Sequence, residues 1–393
     1  MKMAGKVVGM LMNKDIGLVT YYKENYGSIL QCYATKNYLE QKGYNCHVLY
    51  EKYDARQLRV VRAKNIIFHA YNSLRYKGYF SQYMEMRKSM KKEKGYLTRR
   101  AYDFQNKFVE DMLKPQGLTW KELHSIATRD DYIAFIAGSD QIWNASIHIN
   151  PIYFLQFAPK CKRIALAPSF GINSIPAYNK KTVKVGLEGF ERIAVREQTG
   201  EEIIGQLCKV PTIQVTDPVF LLDVNQWKSF AESVNTPSKP YIFVHFLSEP
   251  SKDTIYEIEK LSNRTSTEVV CFSYGYKEYS IFSKITHLDG DPQEYVSLIR
   301  DASYICTDSF HSSVFSIIMH KRFYTFPRQH LHKSPQSSRI IDLLTRYDLE
   351  DRYVKSGMIP EEDSINWNAV DTTMENERIV LRKYLDEEIE RRS

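Results

Sequence analysis

The sequence predicts an α/β protein of two βα domains that face each other across a hinge near residue 223. Three observations carry that expectation. Short apolar runs at 132–137, 193–196, 241–246 and 304–306 each break into a polar or glycine-bearing loop, as buried strands do. Helical spacing fills intervals between such runs, which is the strand and helix alternation of parallel sheets. The 393 residues suffice for two or three domains at roughly 150 each.

In chain order, the apolar run at 7–12 predicts a first strand, followed by a polar loop with Asn25-Tyr26-Gly27-Ser28. Helical spacing over 29–42 stops at Gly43, placed as a C′ residue, and 47–50 supplies the next strand. From about 66 to 113 the character changes to polar helix with scattered aromatics, predicting an inserted helical hairpin. Its densest basic run includes Arg87, Lys88, Lys91 and Lys92. Strands are predicted at 132–137, 163–168, 193–196 and 213–216, each followed by a loop that should gather along one sheet edge. After a polar stretch at 224–240, the second unit has strands at 241–246, 269–272 and 304–306. Its helices fall at 251–262, at 292–301 and from the last strand to His320. Helical spacing over 374–393 predicts a terminal helix packed across the outside. The expected division is 1–222, 223–373 and 374–393.

Composition narrows the class. Hydrophobic residues at 43% and charged residues at 26% exclude disorder, collagen-like repeats and a disulfide scaffold. The excess of 54 Lys and Arg over 47 Asp and Glu is too small to imply nucleic acid, and no 18-residue apolar stretch offers a spanning helix. Cys32, Cys46, Cys161, Cys208, Cys271 and Cys306 lie far apart, which predicts reduced thiols in a cytoplasmic protein and no metal site. The 28 tyrosines against 4 tryptophans suit sugars, interfaces and cleft edges.

The sharpest chemical constellation is Thr307-Asp308-Ser309-Phe310-His311-Ser312-Ser313-Val314-Phe315. Its polar residues stand where a strand gives way to a helix, so N–H groups, hydroxyls and the helix dipole can face an anion, with His311 at the mouth. Asp308 or Ser309 capping the helix, with His311 filling a groove, explains the same spacing. Arg196 ends a strand, and its fork suits a carboxylate or phosphate; its ordinary role would be an internal pair with Glu197 or another acid. Gly138-Ser139-Asp140-Gln141 and Asn25-Tyr26-Gly27-Ser28 are loops whose small residues permit close backbone approach. Asp140 is either a base for a sugar hydroxyl or a helix cap. Lys321-Arg322 closes the helix after His311, where cations complement a C-terminus.

Taken together and in order, Tyr22-Lys23-Glu24-Asn25-Tyr26-Gly27-Ser28, Gly138-Ser139-Asp140-Gln141-Ile142-Trp143-Asn144, Ala194-Val195-Arg196-Glu197, Thr216-Asp217-Pro218-Val219 and the Thr307 to Val314 segment resemble the polysaccharide pyruvyl transferase family. The resemblance runs from residue 22 to about residue 327. It implies a GT-B-like fold of two Rossmann-like domains with parallel sheets facing across a cleft, plus the inserted hairpin and C-terminal helix. It also implies transfer of the enolpyruvyl group of phosphoenolpyruvate onto hydroxyls of a polysaccharide or lipid-linked glycan precursor. The product is a pyruvate ketal and phosphate leaves, with no cofactor.

The expected catalytic residues are His311 as acid/base or phosphate contact, Arg196 as an anion clamp, and Asp140 at the acceptor hydroxyl. Expected substrate contacts are Asn25, Tyr26, Gly27, Ser28, Gly138, Ser139, Gln141 and Ser169 on the acceptor side, with Asp308, Ser309, Ser312, Ser313, Lys321 and Arg322 on the donor side. One departure matters: other branches of the family carry an arginine two positions before the histidine, where this chain has Ser309. Lys321 or Arg322 is then expected to supply the missing anion contact, or the donor has changed. Two alternatives remain at this point, a nucleotide-sugar glycosyltransferase of the same shape and a noncatalytic glycan-binding relative. The basic, aromatic stretch 71–108 further predicts peripheral contact with an anionic membrane face rather than with nucleic acid.

Overall fold

The computed structural model describes residues 14–147, 149–232, 236–328, 338–355, 358–361 and 364–393. The run at 7–12 expected as a first strand lies outside them. Seven parallel strands make the first sheet: β1 (Asp15–Val19), β2 (Asn45–Glu51), β3 (Gln116–Leu118), β4 (Tyr132–Ala137), β5 (Arg163–Leu166), β6 (Ile193–Val195) and β7 (Thr212–Gln214), in the order β3-β2-β1-β4-β5-β6-β7. Five more make the second: β8 (Tyr241–His245), β9 (Glu268–Phe272), β10 (Ile285–Leu288), β11 (Tyr304–Thr307) and β12 (Arg322–Thr325), in the order β10-β9-β8-β11-β12. This is the GT-B-like, doubly parallel α/β arrangement.

Strands buried on both faces were readable as unbroken apolar runs. All of β4 and β8 is buried, and both stand where the sequence predicts. Polar strands gave no such signal. In β1 the Asn13-Lys14-Asp15 stretch reads as a break, yet Asp15 opens the strand, and Ile16, Leu18 and Val19 are buried. β3 and β10 are half-exposed edges, and β12 starts at an exposed Arg322.

Each sheet reverses its strand order once, between β1 and β4 and between β8 and β11. Ligands of open parallel sheets bind outside the carboxyl ends at such switch points. Both sharpest motifs, Gly138-Ser139-Asp140 after β4 and Asp308 to His311 after β11, fall there.

Helix α1 (Tyr26–Gln41) is capped by Asn25, whose side chain accepts from Ser28 N at 3.3 Å, and Gly43 follows it in the left-handed region at φ +89°. The insertion is longer than the expected hairpin, comprising α2 (Ala55–Arg75), α3 (Tyr79–Tyr96) and α4 (Arg99–Phe108). A capping box between Asp54 and Gln57 starts it well before residue 66. It touches both halves: Tyr76 and Tyr79 meet the Tyr178 ring, at 5.5 and 4.9 Å between centroids, and Thr98 Oγ1 donates to Asp289 at 2.6 Å.

The remaining helices are α5 (Trp120–Ala127), α6 (Lys180–Leu187), α7 (Gln198–Leu207), α8 (Val224–Phe230), α9 (Lys252–Thr265), α10 (Pro292–Asp301), α11 (Phe310–Ile318), α12 (Ser338–Arg346) and α13 (Trp367–Glu390). Instead of lying merely outside, α13 returns to the first sheet and buries Leu381, Tyr384 and Leu385, with the Tyr384 hydroxyl donating to the Ala165 carbonyl at 3.0 Å. One continuous core joins the halves, from Ile16 and Ile136 through Tyr26 and Leu30 to Tyr295 and Phe315. All six cysteines are free thiols.

Candidate active site

The loop after β1 is fastened to the second sheet by Tyr26. Its ring stacks on Tyr295 at 4.9 Å and 5°, and its hydroxyl pairs with Ser273 Oγ and the Gly290 carbonyl, each at 2.7 Å. That anchor sets Gly27 against His311. A Cβ on Gly27 would stand 2.0 Å from both Cγ and Nδ1 of the imidazole, so only glycine fits there without displacing the ring.

An ionic cluster lies on the other side of His311. Arg196 is 1% exposed and donates from Nη1 to Asp217 Oδ2 at 2.6 Å. Glu197 Oε2 is 3.8 Å from its Nε and Asp140 Oδ1 is 3.9 Å from its Nη2, ion pairs too long for hydrogen bonds, so neither nitrogen has a hydrogen-bond partner among the described residues. Burial alone would raise the Asp217 carboxyl, but His311, with Nε2 3.4 Å away, and Arg196 hold it well below the usual range. Glu197 Oε1 is occupied by Ser169 Oγ at 2.8 Å and Phe170 N at 3.0 Å, while Oε2 has no hydrogen bond among the described residues.

A second buried guanidinium, Arg339, approaches the Phe310 ring at 5.7 Å from its centroid, where Arg196 stands at 4.7 Å. Burial first, then repulsion from Arg196 and Arg328, pushes Arg339 down to about 9. Gln141, with its amide oxygen turned inward, accepts from Arg339 Nη1 at 3.1 Å. Nothing in the sequence singled out Arg339; an arginine entering a short helix reads as ordinary surface. Two phenols also escaped notice. Tyr153 is raised to about 12 by burial and then by the Asp140 charge, and Tyr21 is raised by burial, then by Glu24 and then by Asp140.

Several of the expected substrate contacts also make hydrogen bonds within the chain. Asn25 caps α1, and Ser28 Oγ donates to the Asp140 carboxylate. Ser139 donates from Oγ to the Ala167 carbonyl at 2.7 Å and from N to Gln31 at 3.0 Å. Gly138, at φ +121°, would place a Cβ 2.1 Å from the Leu166 carbonyl oxygen. Both Asp308 oxygens accept from the loop after β8, from Leu247 N at 2.6 Å, Ser248 N at 3.0 Å and Ser248 Oγ at 2.6 Å. Ser309 caps α11, Ser312 Oγ pairs with the Tyr295 hydroxyl at 2.7 Å, and Ser313 Oγ donates to the Ser309 carbonyl at 3.0 Å.

Lys321 and Arg322 do not join the site. Arg322 pairs in register with Tyr304, at the amino end of β11, whereas His311 follows its carboxyl end. The parallel strand puts them at opposite edges of the sheet. The cations that do stand near the switch points are Arg196, Arg339 and Arg328, whose Nε donates to the Asp308 carbonyl at 3.1 Å. Among the described residues, no three His, Cys, Asp or Glu side chains converge as a metal site requires.

Two parallel sheets with paired switch-point motifs define a doubly wound α/β class, and one family model, polysaccharide pyruvyl transferase, matches residues 25–330. The chain belongs to the polysaccharide pyruvyl transferase family. No curated protein matches it significantly. Among solved structures, UDP-GlcNAc 2-epimerase from Methanocaldococcus jannaschii is similar at 9% identity and a TM-score of 0.48, over 92% of this chain and 91% of that one. The UDP-GlcNAc 2-epimerase from Neisseria meningitidis bound to UDP-GlcNAc is similar at 7% identity and a TM-score of 0.46, over 97% and 94%.

Proposed function

We propose that the site transfers a pyruvyl group from phosphoenolpyruvate to two hydroxyls of one sugar in a polysaccharide or lipid-linked glycan precursor. The observation that carries this reading is the buried Arg196, whose Nε and Nη2 have no hydrogen-bond partner among the described residues, beside Arg339 and the His311–Asp217 pair. Two desolvated guanidiniums that repel one another favour a small ligand bearing more than one negative charge, and phosphoenolpyruvate carries a carboxylate and a phosphate.

The chemistry assigns one task to each group. His311, with Nε2 3.4 Å from the Asp217 carboxylate, delivers a proton to the methylene carbon. Arg196 and Arg339 hold the carboxylate and phosphate while positive charge develops at the adjacent carbon. Asp140, positioned by Ser28, takes the proton of the attacking sugar hydroxyl, with Tyr21 and Tyr153 beside it as acceptor contacts. Addition of the first hydroxyl forms one C–O bond. Phosphate then leaves with the bonding pair of its C–O bond, and the second hydroxyl closes the ring and loses its proton.

The test is phosphate release from phosphoenolpyruvate with candidate glycan acceptors, followed by mass spectrometry for the ketal. Activity that disappears in His311→Ala and Arg196→Ala, both shown folded by circular dichroism, supports the reading. Wild-type rates in both folded variants, or turnover of a UDP-sugar instead, would overturn it.

A further inference from the structure

Helix α2 has two different apolar faces. One packs inward: Val61, Asn65, Phe68, Asn72 and Tyr76 follow a helical period and are half-buried or buried, and His69 Nδ1 pairs with the Tyr79 hydroxyl at 2.7 Å. The opposite stripe is bare. Val60, Ala63, Ile67, Ala70, Tyr71 and Leu74 recur at the spacing of one face of a helix and are all exposed, Ile67 at 67%, Tyr71 at 57% and Leu74 at 91%. At 1.5 Å per residue this helix is about 30 Å long, and the stripe runs along most of it.

Charge selects the occupant. Arg59, Lys64 and Arg75 flank the stripe, Arg56 stands in line with it one turn before Val60, and α2 contains no Asp or Glu. Beyond the Gly78 turn, Phe80 is 60% exposed, and Arg87, Lys88 and Lys91 are exposed on α3. A protein partner needs a matched outline and paired charges. An acid-free helix with an apolar stripe and flanking cations instead matches an anionic bilayer, where the stripe enters the acyl boundary and the cations meet headgroup phosphates. No described helix is long and apolar enough to cross a membrane, so the geometry is one of lying on the surface.

We propose that the exposed face of α2, centred on Val60, Ile67, Tyr71 and Leu74, docks this protein onto an anionic lipid surface. This moves the contact expected from 71–108 toward the amino end of the insertion. It stands independently of the pyruvyl-transfer reading, since none of these residues touches the ionic cluster.

The experiment is flotation of the full chain with phosphatidylcholine vesicles that contain or lack phosphatidylglycerol, comparing wild type with Ile67→Glu/Leu74→Glu. Both positions are exposed, so the variant should fold, and unchanged circular dichroism and an unchanged urea midpoint check that it does. Expected are binding to the anionic vesicles alone, its weakening by added salt, and at least about a tenfold loss in the variant. Three results would overturn the proposal: no flotation with either vesicle, equal flotation of both proteins, or a dimer by light scattering that the variant abolishes, which would make the stripe a self-association surface.

Discussion

Gly27 lies against the imidazole of His311 so closely that a methyl group at its Cα would stand 2.0 Å from two ring atoms. The glycine belongs to the first helix of the chain and the histidine to the helix after β11, so the contact joins the two switch points. It fixes the ring from one side while Asp217 faces it from the other at 3.4 Å.

Gly27→Ala should therefore keep the fold and lose the chemistry. Alanine is a good helix residue, but the ring must move by about 1 Å or more, and a displacement of that size costs on the order of 100-fold in rate. The expected result is a fall in kcat near that size, with circular dichroism unchanged and a loss of roughly 1–3 kcal/mol from crowding. Wild-type kcat would place His311 outside the reaction.

Arg339→Gln should separate stability from binding. The guanidinium is held down by burial, Arg196 and Arg328, so its charge is a burden on the protein without a ligand. Removing it is expected to raise the urea midpoint, by about 1 kcal/mol in stability, and to weaken phosphoenolpyruvate at least about tenfold by calorimetry. A purely structural arginine would show the opposite sign in the first measurement.

Arg196 should behave differently, because it compensates Asp217 and is surrounded by Glu197 and Asp140. Arg196→Ala leaves a buried carboxylate uncompensated and is expected to cost about 3–5 kcal/mol in urea unfolding. Arg196→Lys keeps a charge but loses the fork, so it should retain more stability than Arg196→Ala and still bind the donor poorly.

His245 supplies a pH dependence away from the chemistry. Burial between Tyr26, Phe272 and Tyr295 lowers it to about 4. The unfolded chain takes up a proton near pH 6.5 and the folded chain does not until about pH 4, so stability is lost as pH falls through that window. Between pH 7 and pH 5 the loss is about 2 kcal/mol. His245→Phe should flatten that part of the profile, read as urea midpoints at the two pH values; an unchanged slope would assign it to other groups.

The fold was legible where one segment contains its own signal. Strand β4 is apolar at every position and helix α10 has a Pro292 start, an Asp291 cap and a helical apolar period, so both were read with their observed limits. Edge strands β3 and β10 carry mixed residues because they are half-exposed, and β12 is only four residues long and opens on an exposed Arg322, so all three went unread. His311, Arg196 and Asp140 stand out in the sequence because they sit beside strand ends, and the structure places them near the two switch points. Arg339 was not, and Lys321 and Arg322 were misplaced, because distance along a chain does not say which edge of a sheet a residue reaches.

By itself, then, the sequence determined the alternation of strands and helices and the loops that carry polar groups at strand ends. Apolar period and capping are properties of neighbouring residues, and they need no partner. Only the tertiary structure decided that Tyr26 would bond Ser273, 247 positions away, that Gly27 would meet His311, and that α13 would close over the first sheet. Those choices follow from packing the shared core and satisfying buried polar groups across it, which no single segment can specify.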